Sequence, residues 1–206
     1  MEKHNCAILC ALLPSQFTGI YIDPKGSFGP ERIKDIAKVR GLDYEKILEN
    51  ILVAKAIDSN AQESRIEAAW TKINLESNSN NIKLLVVDSI IGHYRSELAG
   101  RSKLPERLQR LNKSLHTLLK TARSKNVAVV ITNHQMRSSV DGSFDNRVVL
   151  LGGNVISYTS TYSIHFDSRN MEHRRTSLIS SPDSPQSEIY FTIDERGFTD
   201  VEGDNE

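Results

Sequence analysis

Cysteine is the first thing this chain is short of. Only Cys6 and Cys10 occur in 206 residues, four apart in an apolar run. Two thiols make no disulfide framework, and a reduced, cytoplasmic setting is expected. No His/Cys cluster accompanies them, so both read as core packing rather than metal ligands. Long hydrophobic runs are missing too. Nothing approaches the roughly 18 apolar residues of a membrane span, the N-terminus lacks a signal-peptide pattern, and no membrane partner is expected. Charge of one sign is also lacking: Lys plus Arg and Asp plus Glu each number 26, so the formal net charge is zero. Any nucleic-acid surface must therefore be local. Internal repeats and low-complexity blocks are absent. The length suffices for one good-sized core.

What is there alternates. "CAILCALLP" reads as the end of an apolar helix stopped by Pro14, and "TGIYID" as a strand ending in Asp23. "PERIKDIAKVRGL" is an amphipathic helix with Pro30 at its start and Gly41 at its end. "DYEKILENI" is a shorter helix and "ILVAKA" a strand. A helix over about residues 61–76 carries Ile66, Ala69, Trp70 and Ile73 at helical spacing, which makes Trp70 a core residue. "IKLLVVDS" and "NVAVVIT" do not alternate, as in strands buried on both faces. Between them the longest helix starts near Pro105, with Leu104, Leu108, Leu111, Leu115, Leu118, Leu119 and Ala122 as one buried stripe. After a loop near 135–151, "TYSIHFD", "RRTSLIS" and "EIYFTID" read as three antiparallel strands. His116 and His165 read as structural, and Arg169, Arg174 and Arg175 as a solvated hairpin. The expected fold is α/β, a mostly parallel sheet flanked by helices with a short antiparallel β extension. One domain spans 1–200, and 201–206 form an acidic tail.

The stretch "LLVVDSIIGHYRSELAGR", residues 84–101, puts Asp88 and Ser89 at the end of a buried strand. Ligands of open α/β sheets sit at the carboxyl ends of the strands. Asp88 is thus either a strand-end cap or a Walker-B-type carboxylate, holding magnesium through water beside a nucleotide's phosphates. The segment 92–125 then carries nine basic residues (Arg95, Arg101, Lys103, Arg107, Arg110, Lys113, Lys120, Arg123, Lys125) against Glu97 and Glu106. Tyr94, Arg95 and Arg101 with Gly100 read as a loop suited to phosphate contact and base stacking.

These segments in this order, with "DPKGSFGPERIKDIAKVRGLD" before them and "GGN" and "SSPDSPQSEIYFTIDERGFTD" after, resemble the ATPase core of the RecA-type recombinases, on the archaeal RadA and eukaryotic Rad-type strand-exchange branch. The resemblance covers about residues 4–200. It implies a RecA-like core, ATP and magnesium as cofactors, and single-stranded DNA and a RadA-type recombinase or homo-oligomer as partners. It places Asp88, Ser89 and His134 at the nucleotide, with Asp88 toward magnesium. It places Tyr94, Arg95 and Arg101 in a first DNA-binding loop. Arg137 and Arg147 fall in a second, which spans 135–151 and is closed by Gly152 and Gly153 at a helix start where backbone N–H groups could meet a phosphate.

The sequence departs from that pattern where hydrolysis is concerned. The phosphate-cradling G-x-x-x-x-G-K-[ST] loop is absent, and so are the family's N-terminal helical domain and subunit linker. Lys25 stands where the family has a catalytic glutamate, His134 where it has a glutamine, and Ser180 where it has an aspartate. A lysine cannot act as a general base at neutral pH unless its pKa is strongly depressed. The expectation is a recombination paralogue that binds single-stranded DNA or a recombinase filament with little or no ATP turnover. The alternatives are a fragment of an active strand-exchange enzyme and a protein-only adaptor. An upstream phosphate loop would favour the fragment. Loss of DNA binding on neutralising Arg95 and Arg101 would separate the paralogue from the adaptor.

Overall fold

The structure is a computed structural model that describes residues 6, 9–10, 12–14, 16–75, 81–137, 148–152, 154–167 and 174–201. In chain order it runs β1 (Thr18–Asp23), α1 (Pro30–Val39), α2 (Tyr44–Glu49), β2 (Ile51–Lys55), α3 (Ser59–Leu75), β3 (Ile82–Val87), α4 (Gly92–Glu97), α5 (Leu104–Lys125), β4 (Ala128–Ile131), β5 (Gln135–Arg137), β6 (Val148–Leu150), α6 (Asn154–Thr159), β7 (Ser163–Asp167), β8 (Arg174–Ser180), β9 (Ser187–Asp194) and β10 (Gly197–Asp200). The first four strands form a parallel sheet in the order β2-β1-β3-β4.

Alternate residues of β1 and β3 feed two cores on opposite faces of this sheet, as a strand's period of two requires. Ile20, Ile22, Leu85 and Val87 pack with Ile66 and Ile73 of α3 and with Leu111, Leu115 and Leu118 of α5. Tyr21, Leu84 and Val86 pack with Ile33, Ile36 and Ala37 of α1, Ile47 of α2, and Cys6 and Cys10. Both cysteines are buried and neither is in a disulfide, as expected of core residues. Pro30 starts α1 with its missing N–H in the first turn, and Asp43 caps α2 by accepting from Lys46 N.

Several expectations change here. β4 is half exposed rather than buried on both faces, because it is the last strand of the sheet among the described residues. The α5 stripe is buried only in the middle. Leu104 is 40% exposed and Leu108 half buried. Trp70 is half buried at the α3–α5 seam, with Lys120 Nζ 4.3 Å from the ring centroid. The long loop contains a hairpin, β5 with β6. The tail has four antiparallel strands, in the order β10-β9-β8-β7, not three. Arg174 and Arg175 lie in β8, and Arg175 pairs with Asp167 and Glu188 across it. Arg169 and residues 202–206 lie outside the described residues.

The tail sheet docks through aromatic packing. Phe166, Phe191 and Phe198 cluster, and Phe198 also packs on the α1/α2 core. Arg32 of α1 donates to the Asp194 carbonyl at 2.6 Å, and Arg40 to that of Arg196 at 3.0 Å.

Candidate functional site

Asp88 follows β3 at its carboxyl end and is 1% exposed. Its two oxygens are held separately. Tyr21 Oη donates to Oδ2 at 2.7 Å and Thr132 Oγ1 to Oδ1 at 2.6 Å. Tyr21 lies on β1 and Thr132 directly follows β4, so one carboxylate ties three neighbouring strands. Burial above all, and then the bond to Asp88, pushes the Tyr21 phenol far above its ordinary range. The adjoining Ser89 is fully buried, and among the described residues its hydroxyl has no hydrogen-bond partner.

Lys25 sits on the turn after β1. Asp23 is buried and accepts from Ser27 N and Phe28 N, each at 2.9 Å, which closes the turn around Gly26 at φ +65°. The exposed Lys25 Nζ meets His134 Nε2. An ammonium has only hydrogens to offer, so the imidazole presents a lone pair there. His134 in turn is anchored to the segment before α6: Leu151 N donates to its carbonyl at 3.2 Å, and Asn133 Nδ2 donates to the Leu151 carbonyl at 2.7 Å. The two positions at which the resemblance expects a catalytic base and a linking amide therefore meet as a lysine and a histidine. This pair can attract an anion. It offers no carboxylate to polarise water.

For magnesium, hard oxygen ligands and retained waters are needed. Asp88 is nearly inaccessible and has a hydroxyl on each oxygen. Among the described residues no group of three or more His, Cys, Asp or Glu is arranged to hold a metal ion. The described residues form a hydroxyl–carboxylate clamp at Asp88, which would meet a magnesium ion only through water.

The expected DNA-facing residues separate into three groups. Tyr94 is a correction: it is fully buried within α4, not in a loop. Its hydroxyl lies 2.8 Å from Ser114 Oγ, and the Arg110 guanidinium sits 5.8 Å from its ring centroid. A ring so enclosed cannot stack on a base, and burial, the largest cause, raises its phenol pKa. The apolar spacing Ile91, Tyr94, Leu98 is the helical signal that would have located it. Arg95 and Arg101 are exposed, on α4 and on the turn entering α5, so both stand beyond the carboxyl end of β3. Gly100 takes φ +89° in that turn.

The third group follows β4. Arg137 is on β5 opposite Val148. Arg147 and Gly153 lie outside the described residues. Gly152 has a packing reason: at φ +92°, an added Cβ would stand 2.9 Å from Ile156 Cδ1 and 3.0 Å from Leu111 Cδ2. The close approach seats α6 on α5.

The basic excess over 92–125 is partly spent inside the protein. Arg110 pairs with Glu63 at 2.8 Å and Asn60 at 2.7 Å, Lys103 with Glu106 at 2.9 Å, and Arg107 with the Leu98 carbonyl at 3.1 Å. Lys120 covers Trp70. Arg95, Arg101, Lys113, Arg123 and Lys125 are exposed. Reasoning from sequence missed Tyr21 and Thr132, which hold Asp88.

Residues 3–201 match the Rad51 family. The DNA repair and recombination protein RadA of Cenarchaeum symbiosum (strain A) is 40% identical over 183 residues, which cover 89% of this chain and 45% of that relative. The chain thus spans less than half the length of the curated relative it matches.

Proposed function

The chain belongs to the Rad51 family, and from that premise we propose that it is a DNA repair and recombination protein that binds single-stranded DNA, or a recombinase filament on such DNA, with ATP turnover no faster than background. The observation that carries the reading is the contrast between two neighbouring surfaces. Beyond β3, Arg95 and Arg101 are exposed and suited to phosphate contact. At the ends of β1 and β4, a Lys25–His134 pair stands where hydrolysis would need a base. Catalysis of phosphoryl transfer is positioning plus charge stabilisation. At this pair ATP, which the resemblance implies, would meet a cation rather than a carboxylate that could orient water.

Binding of a labelled oligonucleotide by anisotropy, with a salt titration, tests the first half. Each lost phosphate contact reduces the salt slope by about one unit, so Arg95→Ala with Arg101→Ala is expected to flatten it by about two. Equal affinity and slope in the double variant would remove this surface from the reading. Phosphate release with and without DNA tests the second half. A DNA-stimulated turnover lost in Asp88→Ala would overturn it.

A further inference from the structure

The first turn of α4 carries a histidine that lies outside the candidate site. His93 and Glu97 stand one turn apart, and both reach the turn between β2 and α3. His93 Nε2 lies 2.9 Å from the Ala56 carbonyl. Glu97 accepts from Ser59 N at 2.8 Å and from the Ser59 hydroxyl. The two side chains also face each other. His93 Nδ1 is 3.6 Å from Glu97 Oε1, just beyond hydrogen-bond reach, and the side chains are 18% and 35% exposed. A carbonyl only accepts, so the ring proton of a neutral His93 sits on Nε2. Nδ1 then carries a lone pair that faces a carboxylate oxygen, and nothing bonds them in this state. A second proton, on Nδ1, turns the same contact into a charge-assisted hydrogen bond.

We propose that His93 is a proton-dependent positioning residue. With Nδ1 protonated it bridges Glu97 and the Ala56 carbonyl and holds α4 firmly on the β2–α3 turn. With Nδ1 bare it keeps only the carbonyl, and α4 is held more loosely. Histidine exchanges its proton between about pH 5 and 8, so the hold is tight at the acid end of that range and weakens as pH rises. Carboxylate, ammonium and guanidinium groups ordinarily keep one charge across it. Such groups surround the histidine. Asp58, on the same turn, accepts from Ala61 N at 2.6 Å. Arg110 of α5 senses the Glu97 charge and pairs with Glu63 of α3 at 2.8 Å. Lys55 and Arg95, adjoining Ala56 and Tyr94, are exposed. Since α4 carries Arg95 above the buried Tyr94, the proton on His93 sets how steadily that arginine is presented. The brace is a property of the free protein, and only its consequence for Arg95 rests on the DNA binding proposed above.

The test uses the whole chain without DNA. Amide hydrogen exchange of α4, corrected for the intrinsic effect of pH, is compared at about pH 5.5 and about pH 8 in the parent, His93→Gln and Glu97→Gln. Protection in the parent is expected to be about two- to fivefold greater at the lower pH, the range of a partly exposed ion pair. Added salt should shrink that difference, and the amides of β3 should not share it. Both variants keep a hydrogen-bonding side chain, and both should lose the pH difference whatever their absolute protection. Nitrogen-15 spectra of the imidazole should show a bare Nδ1 at the higher pH and two protonated nitrogens at the lower. Equal protection of α4 at the two pH values overturns the proposal. A pH difference that persists in His93→Gln overturns it too, because another group would then be titrating. So does a proton on Nδ1 at the higher pH, because Glu97 would already have its donor. A pH difference in a protein that binds no oligonucleotide upholds the brace and removes the DNA reading alone.

Discussion

At the scale of single residues, Asp88 matters most for what holds it. Its carboxylate is shared by Tyr21 and Thr132 in an almost dry site, so removal of either hydroxyl leaves a buried oxygen short of a donor. Tyr21→Phe and Thr132→Val are each expected to cost about 1–3 kcal/mol in urea unfolding. The two should not be additive, because both act on one carboxylate. An unchanged midpoint for Tyr21→Phe would show that the clamp carries no stability. A second residue-scale expectation concerns pH. Burial pushes the Cys10 thiol from 9.0 up to about 12, and Tyr21 is raised as well. Groups raised on folding bind protons more tightly in the native state. Their stabilisation is complete below the unfolded values and is lost as pH climbs through about 9 to 12. Cys10→Ala should flatten the lower part of that decline. A pH profile unchanged by the substitution would detach it from the thiol.

At the scale of elements, the short helices α4 and α6 decide where the candidate DNA residues stand. Glu97 at the end of α4 accepts from Ser59 N at 2.8 Å and also from the Ser59 hydroxyl, so α4 is fastened to the start of α3. This fastening, with Tyr94 buried beneath, is why Arg95 is turned outward. Gly152 does the same for α6. Gly152→Ala combines a left-handed φ with a Cβ against Ile156 and Leu111, and is expected to destabilise by about 2–4 kcal/mol. Gly100 has a similar φ and nothing within 4 Å of an added Cβ, so Gly100→Ala should cost only about 1 kcal/mol. Similar midpoints for the two variants would mean that packing at 152 is not tight.

At the scale of the whole molecule, the tail sheet and the parallel sheet share side chains. Phe198 belongs to the Phe166–Phe191 cluster and to the α1/α2 core, and Arg32 and Arg40 reach carbonyls of the β9–β10 turn region. Phe198→Ala is therefore expected to lower the midpoint of one cooperative unfolding transition, by about 2–4 kcal/mol. Two separate transitions in the parent would show that the sheets fold independently. Net charge is zero, so the DNA binding proposed above would rest on a local field such as that of Arg95, Arg101, Lys113, Arg123 and Lys125.

The alternation of elements, the parallel core, the burial of Cys6 and Cys10 and the strand-end place of Asp88 were all legible along the chain, because periodicity and end signals are local. The place of Lys25 just past the first strand was legible as well, since the strand and turn signals around it are local. What stands opposite those residues was not. Tyr21 and Thr132 are 67 and 44 positions from Asp88, and His134 is 109 from Lys25. No local pattern announces such pairs. β4 had the composition of a fully covered strand, and Tyr94 that of a loop aromatic beside two arginines. Their exposure was decided by sheet order and by the helices packed above them. Composition states which side chains favour burial, and only the tertiary arrangement settles which of them have neighbours on every side.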